Sequence, residues 1–542
     1  MKKRLIVYST GLVSLMLLFL ASCNDLDLAP TNKFTDLNYW TSTDKASSVL
    51  SMAYNQMFGA NYFFANERLS DNLYEDRGNT YEKIFTAGLA DPALGRFADE
   101  WKDCYAGIKT CHTFLENVDR VPDMDGALKT RMKAEARFIR AFLFFRMASQ
   151  YGDVPLFDHN LTLEEATVIF RTPKADVIAF VRTELNDIVS SLPTKQDYSA
   201  GDNGRITKGA VMLLLARTYL YENDYTNLAP ICEKIMNGEY GQYSLFSSYD
   251  GLFSPGNDKY VNEYNSEVIL DMGYVPNVRT WSEYQDAIPQ TLPGSRINGF
   301  APTQEWVNDY VMLNGKGILE SGSGYNENDP YVNRDPRLTY TIVYDGYQWK
   351  QPDGTIYSIK IKPGSGTLDE YKGPGQNASA TGYYLRKWYD PYVPEGTMNS
   401  GLNLILMRYA DVLLMYAEAK NELNQMNADV WNKTVRVIRA RAGFTDASAL
   451  NYQVGSDLRN IIRRERRCEL AMEGTRLFDI RRWKTIETVM NGNPHGAKFA
   501  ANNTQYIQLG TRKFDPSRNY LFAVPQSEID INKNLLPQNP GY

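Results

Sequence analysis

The sequence predicts a mainly α protein, a scaffold of helical hairpins carrying a large irregular, loop-rich lobe. Three observations predict it. Apolar residues recur at helical spacing through residues 44–240 and again through 404–542. Between them, 241–403 loses that period and fills with Gly, Pro, Asn, Tyr and Trp. A hydrophobic share of 43% and an aromatic share of 13% supply the apolar surface a folded body needs, which argues against disorder.

The first residues read as a targeting segment. Lys2, Lys3 and Arg4 precede an apolar run from Leu5 to Leu20, and Ala21-Ser22 leads into Cys23. The run falls short of the roughly 20 residues a spanning helix needs. Leu20-Ala21-Ser22-Cys23 looks like a bacterial lipobox, in which the cysteine thiol is acylated and becomes the new N-terminus. The plainer reading is an ordinary signal cut near Ala21, leaving Cys23 free. The expectation is a lipoprotein signal peptide at 1–22, a lipid-anchored tether at 23–43 and a folded body at 44–542. Stable attachment takes more than one acyl chain.

Within the body, Ala46, Val49, Leu50, Ala53, Tyr54 and Met57 predict a helix over 44–58. The stretch 61–80 mixes polar and aromatic residues and reads as a loop. Trp101, Tyr105, Ile108, Leu115 and Val118 trace the next helical stripe. Phe138, Ala141, Phe142, Phe145 and Ala148 trace another, over 132–151, stopped by Gly152 and Pro155. Further helices are expected between Pro173 and Pro193, over 209–221 and over 230–236. The recurring two-helix unit predicts tetratricopeptide-like hairpins, although that repeat's signature residues are absent. In the lobe, strands are expected at 338–344 and 356–361. Helix returns at 404–423, 429–442, 457–474 and 476–484.

Several function classes are disfavoured. A net charge of −6 argues against a nucleic-acid partner. Cys104 and Cys111, seven apart on one helix, lie about 10 Å apart along its axis. A disulfide needs Cα atoms within roughly 7 Å, so both read as small buried apolar groups. His112, His159 and His495 are scattered, and HExxH, GxSxG, P-loop and GxGxxG patterns are missing. Glu465, Glu469 and Glu473 share one helix face, and paired carboxylates can cut glycosidic bonds. Arg463, Arg464, Arg466 and Arg467 interleave them, however, so ion pairing is the plainer account.

Binding remains. Sugars are held by stacking on aromatic faces and by hydrogen bonds from planar polar side chains. Trp281 and Tyr284, in the polar stretch VPNVRTWSEYQDAIPQ, are candidate ligand contacts. So are Asp71, Tyr74 and Arg77 in the first loop, and Trp349. Trp306 and Trp388, in more regular segments, are assigned to the core. For each candidate the alternative is packing that anchors a loop.

Seven segments in order resemble the SusD/RagB family of outer-membrane nutrient-binding lipoproteins. They are LDLAPTNKFTDLNYW, RFIRAFLFFRMASQYGDVPL, GRITKGAVMLLLARTYLY, NRDPRL, LMRYADVLLMYAEAKNEL, RRERRCELAMEGTRLFDIRRW and LPQNPGY. The resemblance implies four tetratricopeptide-like units scaffolding an irregular lobe. It also implies a lipid-anchored position on the outer membrane facing the exterior, and a lid over a TonB-dependent SusC-like transporter. The cargo it implies is oligosaccharide or, in some members, peptide; catalysis is not implied. Calcium accompanies some members, but no clear acidic ligand loop is visible here. The expected function is therefore surface capture of a glycan for that transporter. The alternatives are the same architecture binding peptides, or a lipid-anchored glycoside hydrolase with two convergent carboxylates.

Overall fold

The computed structural model describes residues 39–255, 260, 262–393, 399–499 and 505–542. Cys23, the signal segment 1–22 and most of the tether lie outside the described residues.

The first half of the scaffold contains α1 (Thr43–Met57), α2 (Ala60–Arg68), α3 (Gly95–Asn117), α4 (Gly126–Tyr151), α5 (Lys174–Ile188), α6 (Lys208–Tyr221) and α7 (Tyr225–Met236). The second half contains α8 (Tyr409–Glu422), α9 (Val435–Ala442), α10 (Leu458–Glu469) and α11 (Arg476–Arg482). Packing follows the chain: α1 on α3, α3 on α4, α4 on α5, α6 on α7. The array then continues across the lobe, with α7 on α8 and α8 on α10. The mainly α hairpin architecture expected from periodicity is what forms. Among the described residues no helix is long and apolar enough to cross a membrane.

Helix α4 is central, buried on most of its faces rather than on one stripe. It starts at Asp125, whose carboxylate accepts from Leu128 N at 2.7 Å. It stops at Gly152, where φ is +74° and a Cβ would lie 2.9 Å from Leu521 Cδ1. Gly152→Ala is therefore expected to cost about 1–3 kcal/mol; an unchanged melting temperature would refute this account of the turn.

Among the described residues, eight short strands form four antiparallel pairs. They are β1 (Leu73–Glu75), β2 (Val268–Met272), β3 (Phe300–Pro302), β4 (Ile342–Val343), β5 (Gln348–Lys350), β6 (Ile356–Ser358), β7 (Tyr384–Leu385) and β8 (Leu404–Arg408). The pairs are β1–β3, β2–β8, β4–β7 and β5–β6. Both strands of β2–β8 are wholly buried, so this pair fastens the lobe to the scaffold. The pair β1–β3 fastens the first inter-helix segment to the lobe, with Tyr74 opposite Ala301.

Four expectations are corrected. The stretch 61–80 is not a loop: it holds most of α2, then β1. Tyr62, Phe63, Phe64 and Ala65 are all buried, so α2 has no polar face to betray its period. Residues 404–408 are strand, not helix, because a continuous apolar run conceals the change of period at Tyr409. In 338–344 only Ile342–Val343 is strand; Pro336 opens a short helix whose cap Asp335 accepts from Arg337 N at 3.0 Å. The helix over 429–442 is broken at Thr434. Trp306 and Trp388 lie in the core as assigned, and Cys104, Cys111, Cys232 and Cys468 are free and buried.

The three glutamates of the charged segment are structural. Arg408 donates to Glu473 Oε2, Glu267 Oε1 and Glu469 Oε1, each at 2.7 Å. Arg337 reaches Glu465 at 2.7 Å and Glu469 at 2.9 Å. All of these side chains are buried. One correction applies: α10 ends at Glu469, so Glu473 belongs to the turn that follows.

Candidate ligand-binding face

The residues nominated from sequence divide into two groups. Trp281 is 4% exposed, tilted against Phe64 at 5.3 Å, and its Nε1 donates to Leu402 O at 2.7 Å. Tyr284 is 2% exposed beside the same Phe64. Trp349 is 2% exposed with Tyr389 edge-on at 4.9 Å, although it contributes to the wall of a cleft of about 360 Å³. Asp71 is buried between Arg476, at 2.8 Å, and Arg467, at 2.9 Å. Burial alone would raise its carboxyl, but the two guanidiniums outweigh that and hold it well below the usual carboxylate range. Trp281 and Tyr284 are corrected from ligand contacts to interior anchors, since protein covers their faces; Asp71 and Trp349 are likewise buried and held by protein partners, although each also lines a cleft.

Tyr74 and Arg77 remain at the surface, half-buried. The hydroxyl of Tyr74 accepts from Gly510 N at 3.0 Å, and burial raises its pKa. Arg77 leaves the end of β1 and crosses to the lobe, where its Nη2 donates to Gln376 O and, at 2.9 Å, to Asn377 Oδ1. Its Nε is buried with no partner among the described residues. Asp76, next to it, accepts from Gly375 N. The Gly373-Pro374-Gly375 turn is thus what lets the lobe backbone approach this segment closely.

Asn377 is the hub of the face. Its carbonyl accepts from Gln290 Nε2 and, at 3.0 Å, from Asn298 N. Gln290 then opens onto a broad groove of about 560 Å³, shared with Asp286, Arg296, Ile297 and Leu368. Arg296 and Asp286 pair at 2.6 Å across it. Ile297 is 46% and Leu368 67% exposed, which gives the groove an apolar floor between polar edges. Tyr371 of the lobe and Phe499 of the C-terminal segment are half-buried with ring centroids 5.8 Å apart. Planar amides, a guanidinium and accessible apolar surface are therefore gathered on one face.

Of the residues on this candidate face, Tyr74 and Arg77 are nominated by the sequence, and Gln290, Arg296, Tyr371 and Asn377 are not. The turn-rich GPGQN at 373–377 was the available signal, read only as punctuation. Among the described residues, no group of three or more His, Cys, Asp or Glu is placed to hold a metal ion.

A helical-hairpin array with an inserted lobe is a scaffold that presents loops. Residues 258–542 match the family model described as SusD family, and residues 26–220 match one described as starch-binding associating with outer membrane. The chain belongs to the SusD family. It is 25% identical to the SusD-like protein P2 of Formosa agariphila over 97% of this chain and 98% of that one. It is similar in fold to a SusD-like carbohydrate binding protein from Bacteroides fragilis, with a TM-score of 0.81, 29% identity, and coverage of 92% and 100%. A laminarin binding SusD-like protein shares the fold at a TM-score of 0.68 and 22% identity, with coverage of 93% and 100%.

Proposed function

We propose that this protein captures oligosaccharide on the Arg77–Asn377–Gln290 face and delivers it to a TonB-dependent SusC-like transporter in the outer membrane. The observation that carries the reading is that face, where a guanidinium, two amides and apolar surface converge. Hydrogen bonds from planar side chains orient sugar hydroxyls, and the apolar floor takes the flat face of a pyranose ring. The relatives that are carbohydrate binding support the ligand class. The lipobox-like sequence around Cys23 supports lipid anchorage, and the description of the second family model supports an outer-membrane location. The body then faces the exterior as a lid over the transporter, and no bond is made or broken.

Titration calorimetry with a panel of neutral oligosaccharides tests it. Arg77→Ala is expected to weaken the best ligand roughly tenfold or more, as loss of hydrogen bonds from a charged donor does. Affinity untouched by both Arg77→Ala and Asn377→Ala would remove the face from the reading. Binding of peptides with no glycan bound, or release of shortened sugar, would replace it with another function. Failure of Cys23→Ala to abolish incorporation of labelled fatty acid would remove the anchor.

A further inference from the structure

A separate cleft of about 560 Å³ is bounded by α10, α11 and the 485–494 segment. Five arginines and three carboxylates line it, so its wall carries an excess of positive charge. The carboxylates are already engaged. Asp71 holds Arg467 and Arg476, Asp309 holds Arg467 at 2.6 Å, and Glu305 holds His495 at 2.6 Å. Arg512 donates to Leu73 O. That leaves Arg463 and Arg464.

Among the described residues, Arg464 reaches only Glu320, at 3.5 Å. Arg463 has no carboxylate within ion-pair distance among the described residues, and its Nε is buried without a partner. Its guanidinium lies 4.8 Å from the ring centroid of Trp483. Trp483 is itself fixed by donating Nε1 to Glu418 Oε1 at 2.7 Å. A guanidinium stacked on an indole is held flat and keeps its N–H edge available. Burial lowers the Arg463 pKa, as expected of a cation whose lost hydration is not fully replaced. Around it stand Asn460, Asn308, Asn493 and Thr488, donors and acceptors suited to hydroxyls. Its neighbours in the cleft wall, Arg467 and Arg476, each have a carboxylate, and Arg463 has none among the described residues.

We propose that the cleft is a second binding site, for an oligosaccharide unit bearing a carboxylate or a sulfate ester, with Arg463 and Arg464 receiving the anion. The proposal rests on the glycan-capture reading and adds an acidic substrate class to it. Sugar is favoured over acidic peptide because the other three arginines of the wall are already engaged, while Asn308, Asn460, Asn493 and Thr488 add amides and a hydroxyl suited to sugar hydroxyls.

The test is calorimetry on the whole mature chain with oligogalacturonates, sulfated galacto-oligosaccharides, uncharged oligosaccharides of matched length and a penta-glutamate peptide. One of the two acidic sugar series is expected to bind, more weakly as salt rises. Arg463→Gln, and independently Arg464→Gln, should weaken that series roughly 10- to 100-fold while neutral sugars keep their affinity. Arg77→Ala should weaken the neutral series instead. Matching melting temperatures establish that the variants are folded. Acidic sugars held equally by both arginine variants and the parent would overturn the site. So would neutral binding with no acidic binding, which leaves glycan capture standing. Preference for penta-glutamate over either sugar series would overturn the ligand class, and no sugar binding of any kind would take the underlying reading with it.

Discussion

Replacing Arg408 with Met is expected to cost about 3–5 kcal/mol of unfolding free energy, the usual result of removing one partner from a buried charge cluster. Arg408 is 1% exposed and donates to three carboxylates and to Glu469 O. From the end of β8 it gathers partners from three other places in the chain: Glu267 before β2, Glu469 at the end of α10, and Glu473 beyond it. After substitution Glu267 still meets Arg441 at 2.7 Å, and Glu473 still meets Lys387 at 2.6 Å. The cluster nevertheless loses a full positive charge where water cannot replace it. Arg459→Met is the control. That arginine is exposed and pairs with Glu422 at 2.7 Å, so its loss should cost no more than about 1 kcal/mol. Urea unfolding of the two variants decides the matter; equal losses would mean the buried network adds nothing beyond a surface pair.

The same network marks the limit of sequence reading. Spacing alone put Glu465, Glu469 and Glu473 beside interleaved arginines, and it identified them as ion-paired. It could not show that Arg337 and Arg408, 65 or more residues away from Glu473, are the partners, because sequence period reports on one element at a time. The long amphipathic helices α1, α3 and α5 were legible for that reason: each has a stripe that faces the core. Helix α2 was not, since its aromatics are buried all round. The candidate face was half legible. Tyr74 and Arg77 stood out in a polar segment, but Asn377 and Gln290 reach them only through the fold. Trp281, Tyr284 and Trp349 were nominated because large aromatics in a polar stretch resemble a stacking platform. In the structure the aromatics instead tie irregular backbone to a core that has few regular elements to hold it.

Acid is expected to unfold this protein steeply, and a rise in pH from about 5 to 7 to weaken it gradually. Asp411 and Glu418 are fully buried, which alone would raise their carboxyls. Arg466 and Arg217 outweigh burial at Asp411, and Arg482 does so at Glu418, bringing both down to about 2 from ordinary values of 3.8 and 4.5. A carboxyl depressed on folding adds stability that is complete above its unfolded pKa and is lost as pH falls through the folded one. The two groups together contribute on the order of 5 kcal/mol that disappears between about pH 5 and pH 1. Three other carboxyls run the opposite way. Burial raises Glu67 and Glu263 to about 7 and Asp271 to about 6. A raised carboxyl adds stability that is complete below its unfolded pKa and is lost as pH climbs through the folded one. His112, buried and lowered to about 4, opposes this with a single proton. Net stability should therefore peak at mildly acidic pH, near 5, and decline on both sides. Asp271→Asn isolates one contribution. Oδ2 of Asp271 accepts from Asn403 Nδ2 at 2.9 Å and Oδ1 has no partner among the described residues, so an amide fits without a charge to desolvate. The variant should be more stable than its parent at pH 8 and little changed at pH 4. Calorimetric melting from pH 2 to 8 reads both predictions. A stability maximum at pH 8 would contradict the first, and a parallel shift of the Asp271→Asn curve at every pH would contradict the second.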